Sequence, residues 1–133
     1  MRIYRSETQK SIERFVEDLS QAANARGFLI HNEDKMSLAY TFGQHGATVA
    51  EGFDLHMIQV CKPHKAAKSL SKNPERSVLM PKFIMTFTQN EMTQIRFLHY
   101  KQATVMDLID DAEFTGSLAK SLDEIIALIE AVK

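Results

Sequence analysis

The spacing of apolar and polar positions predicts that the chain starts with a short strand followed by an amphipathic helix. Ile3 and Tyr4 lie in the predicted strand, and Ser6 with Gln9 has the spacing of a capping box at a helix start. Apolar residues then recur at helical spacing: Ile12, Phe15, Val16, Leu19 and Ala23. Gly27 is a typical stop for this helix, and the apolar run 28–30 predicts a strand directly after it.

The middle of the chain predicts a strand that leads into a second helix. Residues 53–60 show little alternation, which indicates a strand buried on both faces or central in its sheet. Pro63 suits the first turn of a helix, and Asn73-Pro74 ends it. A narrow buried stripe is expected on this helix at three positions: Ala66, Ala67 and Leu70.

The last third predicts a hairpin and a long helix. Residues 83–88 and 95–100 alternate in polarity around a turn at 89–92, and we assign Phe83, Phe87 and Phe97 to the core. The final helix has a wide apolar stripe: Leu118, Leu122, Ile125, Ile126, Leu128, Ile129 and Val132. Two segments are less regular. Residues 35–52 predict a flexible connection or a short helix plus turn. Residues 104–114 predict a short acidic helix or loop, and we expect its Asp111 to lie on the solvated surface.

These elements predict one α+β domain over residues 1–133, in the order β-α-β-β-α-β-β-α. The hydrophobic fraction of 44% and charged fraction of 25% are ordinary for a globular domain. The net charge of −1 argues against a nonspecific nucleic-acid binder. No apolar run approaches the roughly 20 residues of a membrane span, and the N-terminus lacks a signal-peptide core. A single cysteine fits a reducing compartment, so we expect a cytoplasmic protein.

Positive charge is concentrated where the second predicted helix begins, after Cys61. A helix N-terminus offers free amides and a partial positive charge, which can bind an anion or lower the pKa of a nearby thiol. Basic residues crowd this segment, with only Glu75 opposing them: Lys62, His64, Lys65, Lys68, Lys72, Arg76 and Lys82. Lys65, Lys68 and Lys72 share one helical face. The pattern fits a site for a phosphate, a carboxylate or an acidic partner. It also fits a solvated helix face, which is the commoner case for charge stripes on surface helices.

Other constellations in the sequence are incomplete. Cys61 and His64 have a spacing seen between metal ligands. A zinc site needs four ligands, or three and a water, and nothing in the sequence brings the scattered other histidines to this pair. His99 could act as a general base, or be a hydrogen-bonded residue at the rim of the core. The mixed sheet face offers mainly threonines, Arg96 and Tyr100, a poor surface for stacking nucleic-acid bases.

Several strings, in order, resemble the bacterial domain-of-unknown-function 302 family. They are Arg26-Gly27-Phe28, Val60-Cys61-Lys62-Pro63, Asn73-Pro74-Glu75 and Leu79-Met80-Pro81, followed by the hairpin. The resemblance implies an α+β fold related to that of the TATA-binding protein, with helices on one face of a curved antiparallel sheet of about four to five strands. It also implies a homodimer, and no established activity. Many relatives have asparagine in place of Lys62 and a second cysteine in place of Lys82.

The sequence therefore leads to two functional hypotheses. The first is a non-enzymatic cytoplasmic homodimer, without metal or cofactor, that binds a small anionic ligand or an acidic partner. Its expected ligand-binding residues are Cys61, Lys62, His64, Lys65 and Lys68. The second is a thiol-dependent redox or metal-binding protein centred on Cys61.

Overall fold

Five antiparallel strands form one open sheet in the computed structural model, which describes residues 1–133. Their order across the sheet is β1-β5-β4-β3-β2. The strands are β1 (Arg2–Thr8), β2 (Leu29–Ile30), β3 (His56–Cys61), β4 (Phe83–Gln89) and β5 (Met92–His99). The predicted α+β class, with its antiparallel sheet of four to five strands and helices, is confirmed.

Helices connect the strands, and the core lies between them and one face of the sheet. The helices are α1 (Ile12–Ala25), α2 (Leu38–Gln44), α3 (Pro63–Lys72), a 3₁₀ helix (Pro74–Leu79), α4 (Gln102–Leu108) and α5 (Ala112–Val132). Phe15 and Leu19 of α1 are fully buried together with Leu122, Ile125 and Leu128 of α5. These two helices supply the apolar stripes predicted from their spacing. No helix in the chain is both long and apolar enough to traverse a lipid bilayer.

Helix α1 begins later than the sequence predicts. Ser6 lies inside β1, opposite Ile95, and the residue that caps α1 is Ser11. Its hydroxyl accepts a hydrogen bond from the backbone amide of Arg14 at 3.1 Å. The predicted capping box at Ser6 and Gln9 is therefore wrong, because strand pairing with β5 extends to Thr8 and takes up the backbone groups there.

The hairpin forms as predicted, but the apolar face of β4 was assigned to the wrong side. Ile84 pairs with Phe97, and Thr86 with Ile95, so these four side chains share the buried face of the sheet. Phe83 and Phe87 lie on the opposite face and are only half-buried. The prediction assigns the larger phenylalanines of β4 to the core, but the register with β5 turns Ile84 and Thr86 toward the core instead.

Strand β3 takes the second of its two predicted alternatives, an interior place in the sheet, whereas helix α3 differs from prediction in what it buries. Ile58 and Val60 are buried while their neighbours on β3 are half-buried, so only one face of this interior strand meets the core. Helix α3 buries none of its residues fully, and Ala67 is exposed. The expected buried stripe on α3 is therefore wrong, since α3 lies at the margin of the core. The segment 35–52 contains the short helix α2, and 104–114 contains α4.

Candidate functional site

A small cavity with both polar and apolar walls lies where α3, α5 and the start of β4 meet. Its volume is about 20 Å³, which is room for about one water molecule or the end of one polar group. Its polar lining consists of three lysines and three serines: Lys62, Lys65, Lys82, Ser69, Ser117 and Ser121. We refer to this feature as the lysine cavity.

Lys62 is fixed in place by two contacts. Its ammonium nitrogen donates a hydrogen bond to Glu124 Oε2 at 2.8 Å and lies 4.6 Å from the centre of the Phe28 ring. The Lys62 hydrogen bond lowers the pKa of the Glu124 carboxyl. Glu124 is the carboxylate that balances part of the positive charge here. Lys62 therefore lines the lysine cavity with its charge already paired.

Lys65 and Lys82 bring charge to the cavity without a carboxylate partner of their own. The Lys65 ammonium donates to Ser121 Oγ at 3.2 Å, and Ser121 is only 6% exposed. Burial lowers the pKa of Lys65, the nearby Glu124 carboxylate partly offsets this, and the neighbouring Lys62 and Lys120 lower the pKa further. Burial also lowers the pKa of Lys82, which forms no ion pair and no side-chain hydrogen bond. The half-buried Lys82 ammonium would gain from a bound anion, whereas the Lys65 residue is exposed overall.

The cavity continues into a larger polar groove between α3 and α5. This groove has a volume of about 230 Å³ and no hydrophobic residue in its lining. Lys65, Ser69 and Ser117 line both features. Four further residues line the groove alone: Lys68, Lys72, Arg76 and Glu113. The expectation that Lys65, Lys68 and Lys72 share one face of the helix agrees with this arrangement.

The positive charge around α3 is opposed by more carboxylates than the sequence indicated. Arg76 is 5% exposed and forms a two-pronged ion pair with Asp111, through Nε to Oδ2 at 2.7 Å and Nη2 to Oδ1 at 3.0 Å. This pair holds the pKa of Asp111 far below its usual range. Lys72 pairs with Glu113 at 3.0 Å. The prediction that only Glu75 opposes the basic residues is wrong, and so is the interpretation of Asp111 as solvated surface.

The other predicted ligand-binding residues lie outside the lysine cavity. His64 is exposed at the start of α3 and lines neither the cavity nor the groove. Cys61 is half-buried at the end of β3 and lines neither feature, although a thiolate there would raise the pKa of Lys82. Of the five residues predicted, Lys62 and Lys65 line the cavity and Lys68 lines the groove.

The contribution of α5 was missed by sequence reasoning. Glu113, Ser117, Ser121 and Glu124 follow one another at spacings of four, four and three residues. This spacing forms a polar line along a helix that is otherwise strongly apolar. The same spacing analysis that found the buried stripe could have found this line, and it supplies every serine of the cavity except Ser69.

The lysine–serine contact does not amount to a catalytic pair. Lys65 and Ser121 have the separation of a serine activated by a lysine. However, Ser121 lies in the middle of α5 and is almost fully buried, so its hydroxyl has no path to attack a substrate carbonyl. The contact instead orients the Lys65 ammonium toward the cavity.

The structure gives little support to His99 as a general base or to a metal site at Cys61. His99 Nε2 lies 3.1 Å from Asp123 Oδ1 and its ring is 15% exposed, which agrees with a hydrogen-bonded residue at the rim of the core. No three His, Cys, Asp or Glu side chains are close enough together to hold a metal ion. The thiol of Cys61 therefore has no cluster of further ligands around it.

Comparisons with known proteins identify the family. The family model described as "Domain of unknown function DUF302" matches residues 4–132. No curated protein matches the chain. A similar solved structure is the crystal structure of an uncharacterized conserved DUF302 protein from Bacillus stearothermophilus, with 17% sequence identity and a TM-score of 0.78. The alignment covers 100% of this chain and 99% of that one, which shows a shared fold. The chain therefore belongs to the DUF302 family of domains of unknown function.

Proposed function

We propose that this protein is a cytoplasmic binding domain for a small ligand that carries a phosphate or carboxylate group. One oxygen of the anionic group enters the lysine cavity, and the rest of the group lies at the mouth of the cavity between α3 and α5. Lys65 and Lys82 are its main charged contacts. Lys62 and the serine hydroxyls of Ser69 and Ser117 complete the contacts. The cytoplasmic location rests on the single unpaired cysteine, which suits a reducing compartment.

The observation that carries this proposal is the uncompensated charge at the cavity. Three lysines line it, and one carboxylate, Glu124, pairs with Lys62 beside it. Lys82 is half-buried without an anionic partner, and a charge in that position is unfavourable until it is paired. The unliganded protein therefore tolerates a cost that a bound anion would remove. Such a cost occurs at binding sites, where the ligand compensates it.

Titration of inorganic phosphate into the protein by calorimetry tests the proposal. The variants are Lys65→Gln and Lys82→Gln, and Lys35→Gln is the matched control because it removes an exposed lysine from the β2–α2 connection. Each cavity variant should weaken phosphate binding by about tenfold or more, since a hydrogen bond to a charged group contributes about 1.5–3 kcal/mol. The control should bind as the wild type does.

Thermal stability separates a binding role from a structural one. Because the charge of Lys82 is unfavourable in the free protein, Lys82→Gln should melt at the same temperature as the wild type or higher while binding phosphate more weakly. A variant that melts lower would indicate that Lys82 stabilises the fold instead. Equal phosphate affinity in all four proteins would refute the proposal.

We also propose that a second copy of the chain covers the sheet face opposite the helices. This face carries Phe83, Met85 and Phe87, all half-buried, together with Ile3 and Leu98, which are 50% and 41% exposed. A contiguous exposed apolar patch of this kind is typical of a protein interface. The wild type should have the mass of a dimer by light scattering, and Leu98→Glu that of a monomer. A wild type that is monomeric at all concentrations would contradict this.

A further inference from the structure

The size of the lysine cavity limits what part of a ligand it can hold. At about 20 Å³ it accepts one small polar group and leaves no space for the rest of a molecule. The adjoining polar groove is about ten times larger and shares Lys65, Ser69 and Ser117 with it. A ligand whose end group enters the cavity must therefore extend into the groove.

We infer that the ligand carries two adjacent anionic groups, as in a diphosphate, with one oxygen of the first group in the lysine cavity and the second group in the groove beside Lys68 and Lys72. This inference rests on the proposed function of the cavity. It adds the chemical class of the ligand, because the groove next to the cavity offers Lys68, a cation without an ion pair, to a second anionic group.

The lining of the groove favours a second anion over an apolar extension. None of its seven lining residues is hydrophobic, so the hydrocarbon part of a fatty or aromatic acid would gain nothing there. The hydroxyls of Ser69 and Ser117 lie at the junction, where they can donate to bridging or terminal phosphate oxygens. These groups match the many acceptor oxygens of a diphosphate.

The charges of the groove define which side chains act. Arg76 is committed to Asp111, and its Nη1 donates to Ser69 Oγ at 3.0 Å, so it holds the wall in place. Lys68 forms no ion pair, and the Lys72 ammonium is held by Glu113. Lys68 is therefore the cation available to a second anionic group without competition. Glu113 is the carboxylate that opposes such a group.

The test compares inorganic phosphate with inorganic pyrophosphate in metal-free buffer, in the wild type and in single variants. Pyrophosphate should bind the wild type at least tenfold more tightly than phosphate. Lys68→Gln should remove most of that advantage and leave phosphate affinity unchanged, whereas the control Lys35→Gln should keep it. Glu113→Gln, which removes the opposing carboxylate and frees Lys72, should increase the advantage for pyrophosphate.

The outcomes separate this inference from the proposed function. If Lys82→Gln weakens both ligands equally, and the wild type binds them with the same affinity, the cavity binds one anion and the inference is overturned. If pyrophosphate is preferred but Lys68→Gln and Lys35→Gln lower the preference equally, the preference reflects overall charge and the inference is also overturned. If no variant changes either affinity, the proposed function fails as well.

Discussion

The buried threonine of β4 provides a sharp test of how the core is built. Thr86 is fully buried, and its hydroxyl oxygen has no hydrogen-bond partner. Valine has the same shape with a methyl in place of the hydroxyl, and it suits a strand equally well. An unpaired buried polar group costs about 1–3 kcal/mol. Thr86→Val should therefore raise the free energy of unfolding by about 1–2 kcal/mol, which for a domain of this size corresponds to about 4–8 °C in Tm.

A second threonine on the neighbouring strand serves as the matched control. Thr93 is 4% exposed, but its hydroxyl donates to the carbonyl oxygen of Lys10 at 2.7 Å. Thr93→Val loses that bond and leaves the carbonyl with one acceptor position unfilled, so it should be destabilising by about 1 kcal/mol. The same chemical change is thus predicted to act with opposite signs at two buried sites.

Denaturant unfolding followed by circular dichroism measures both effects. The midpoint should move up for Thr86→Val and down for Thr93→Val, with the slope m unchanged in each case. A Thr86→Val protein that is less stable than the wild type would refute the reasoning. It would mean that the hydroxyl has a partner, or that Thr86 does not face the core with Ile84 and Ile95.

Three further predictions follow from single contacts. The folded-state pKa of Asp111 is lowered, so its ion pair contributes stability above the ordinary carboxyl pKa of about 4, and this contribution is lost as the pH falls. Asp111→Asn should therefore be less stable than the wild type at neutral pH and should lose less stability on acidification. Unfolding at several pH values measures both effects. Burial, and then the hydrogen bond to Glu130, raise the pKa of Tyr4 to about 12. Tyr4→Phe should therefore abolish the ultraviolet phenolate transition at that pH. A transition that survives in the variant would contradict the contact. Asn90 and Glu91 form the β4–β5 turn with φ of 56° and 62°, in the left-handed region that glycine adopts without strain. Glu91→Gly should therefore stabilise the protein by about 1 kcal/mol in thermal unfolding. A loss of stability would contradict the turn geometry.

The secondary structure could be predicted where one pattern was dominant. The stripe of α5 and the alternation of the hairpin left little choice of element, and both form as expected. The direction in which a strand faces was harder, because Phe83 and Ile84 are both apolar and only one can meet the helices. That choice depends on pairing with Phe97 and on the packing of α1 and α5, which are long-range contacts absent from any local window.

The sequence predicted the lysines of the candidate site but not their carboxylate partners, because the partners are distant in sequence. The lysines of α3 are close in sequence, so their crowding was visible directly. Their partners Glu113 and Glu124 lie on α5, some 41 and 62 residues away from Lys72 and Lys62, so the pairing could not be deduced. Lys82 joins the site because β4 starts beside β3, with the Val60 amide donating to the Lys82 carbonyl at 3.1 Å. The implied likeness to the TATA-binding-protein fold stays a prediction.

Side-chain nuclear magnetic resonance of lysines is the most direct measurement of the anion site. With ¹³C-labelled lysine, the pKa of Lys65 and of Lys82 can be followed with and without inorganic phosphate. Burial lowers both values in the free protein, and a bound anion should raise both toward the normal range while leaving Lys35 unchanged. If saturating phosphate leaves the pKa of Lys82 unchanged, or shifts Lys35 as much, the lysine cavity is not an anion-binding site.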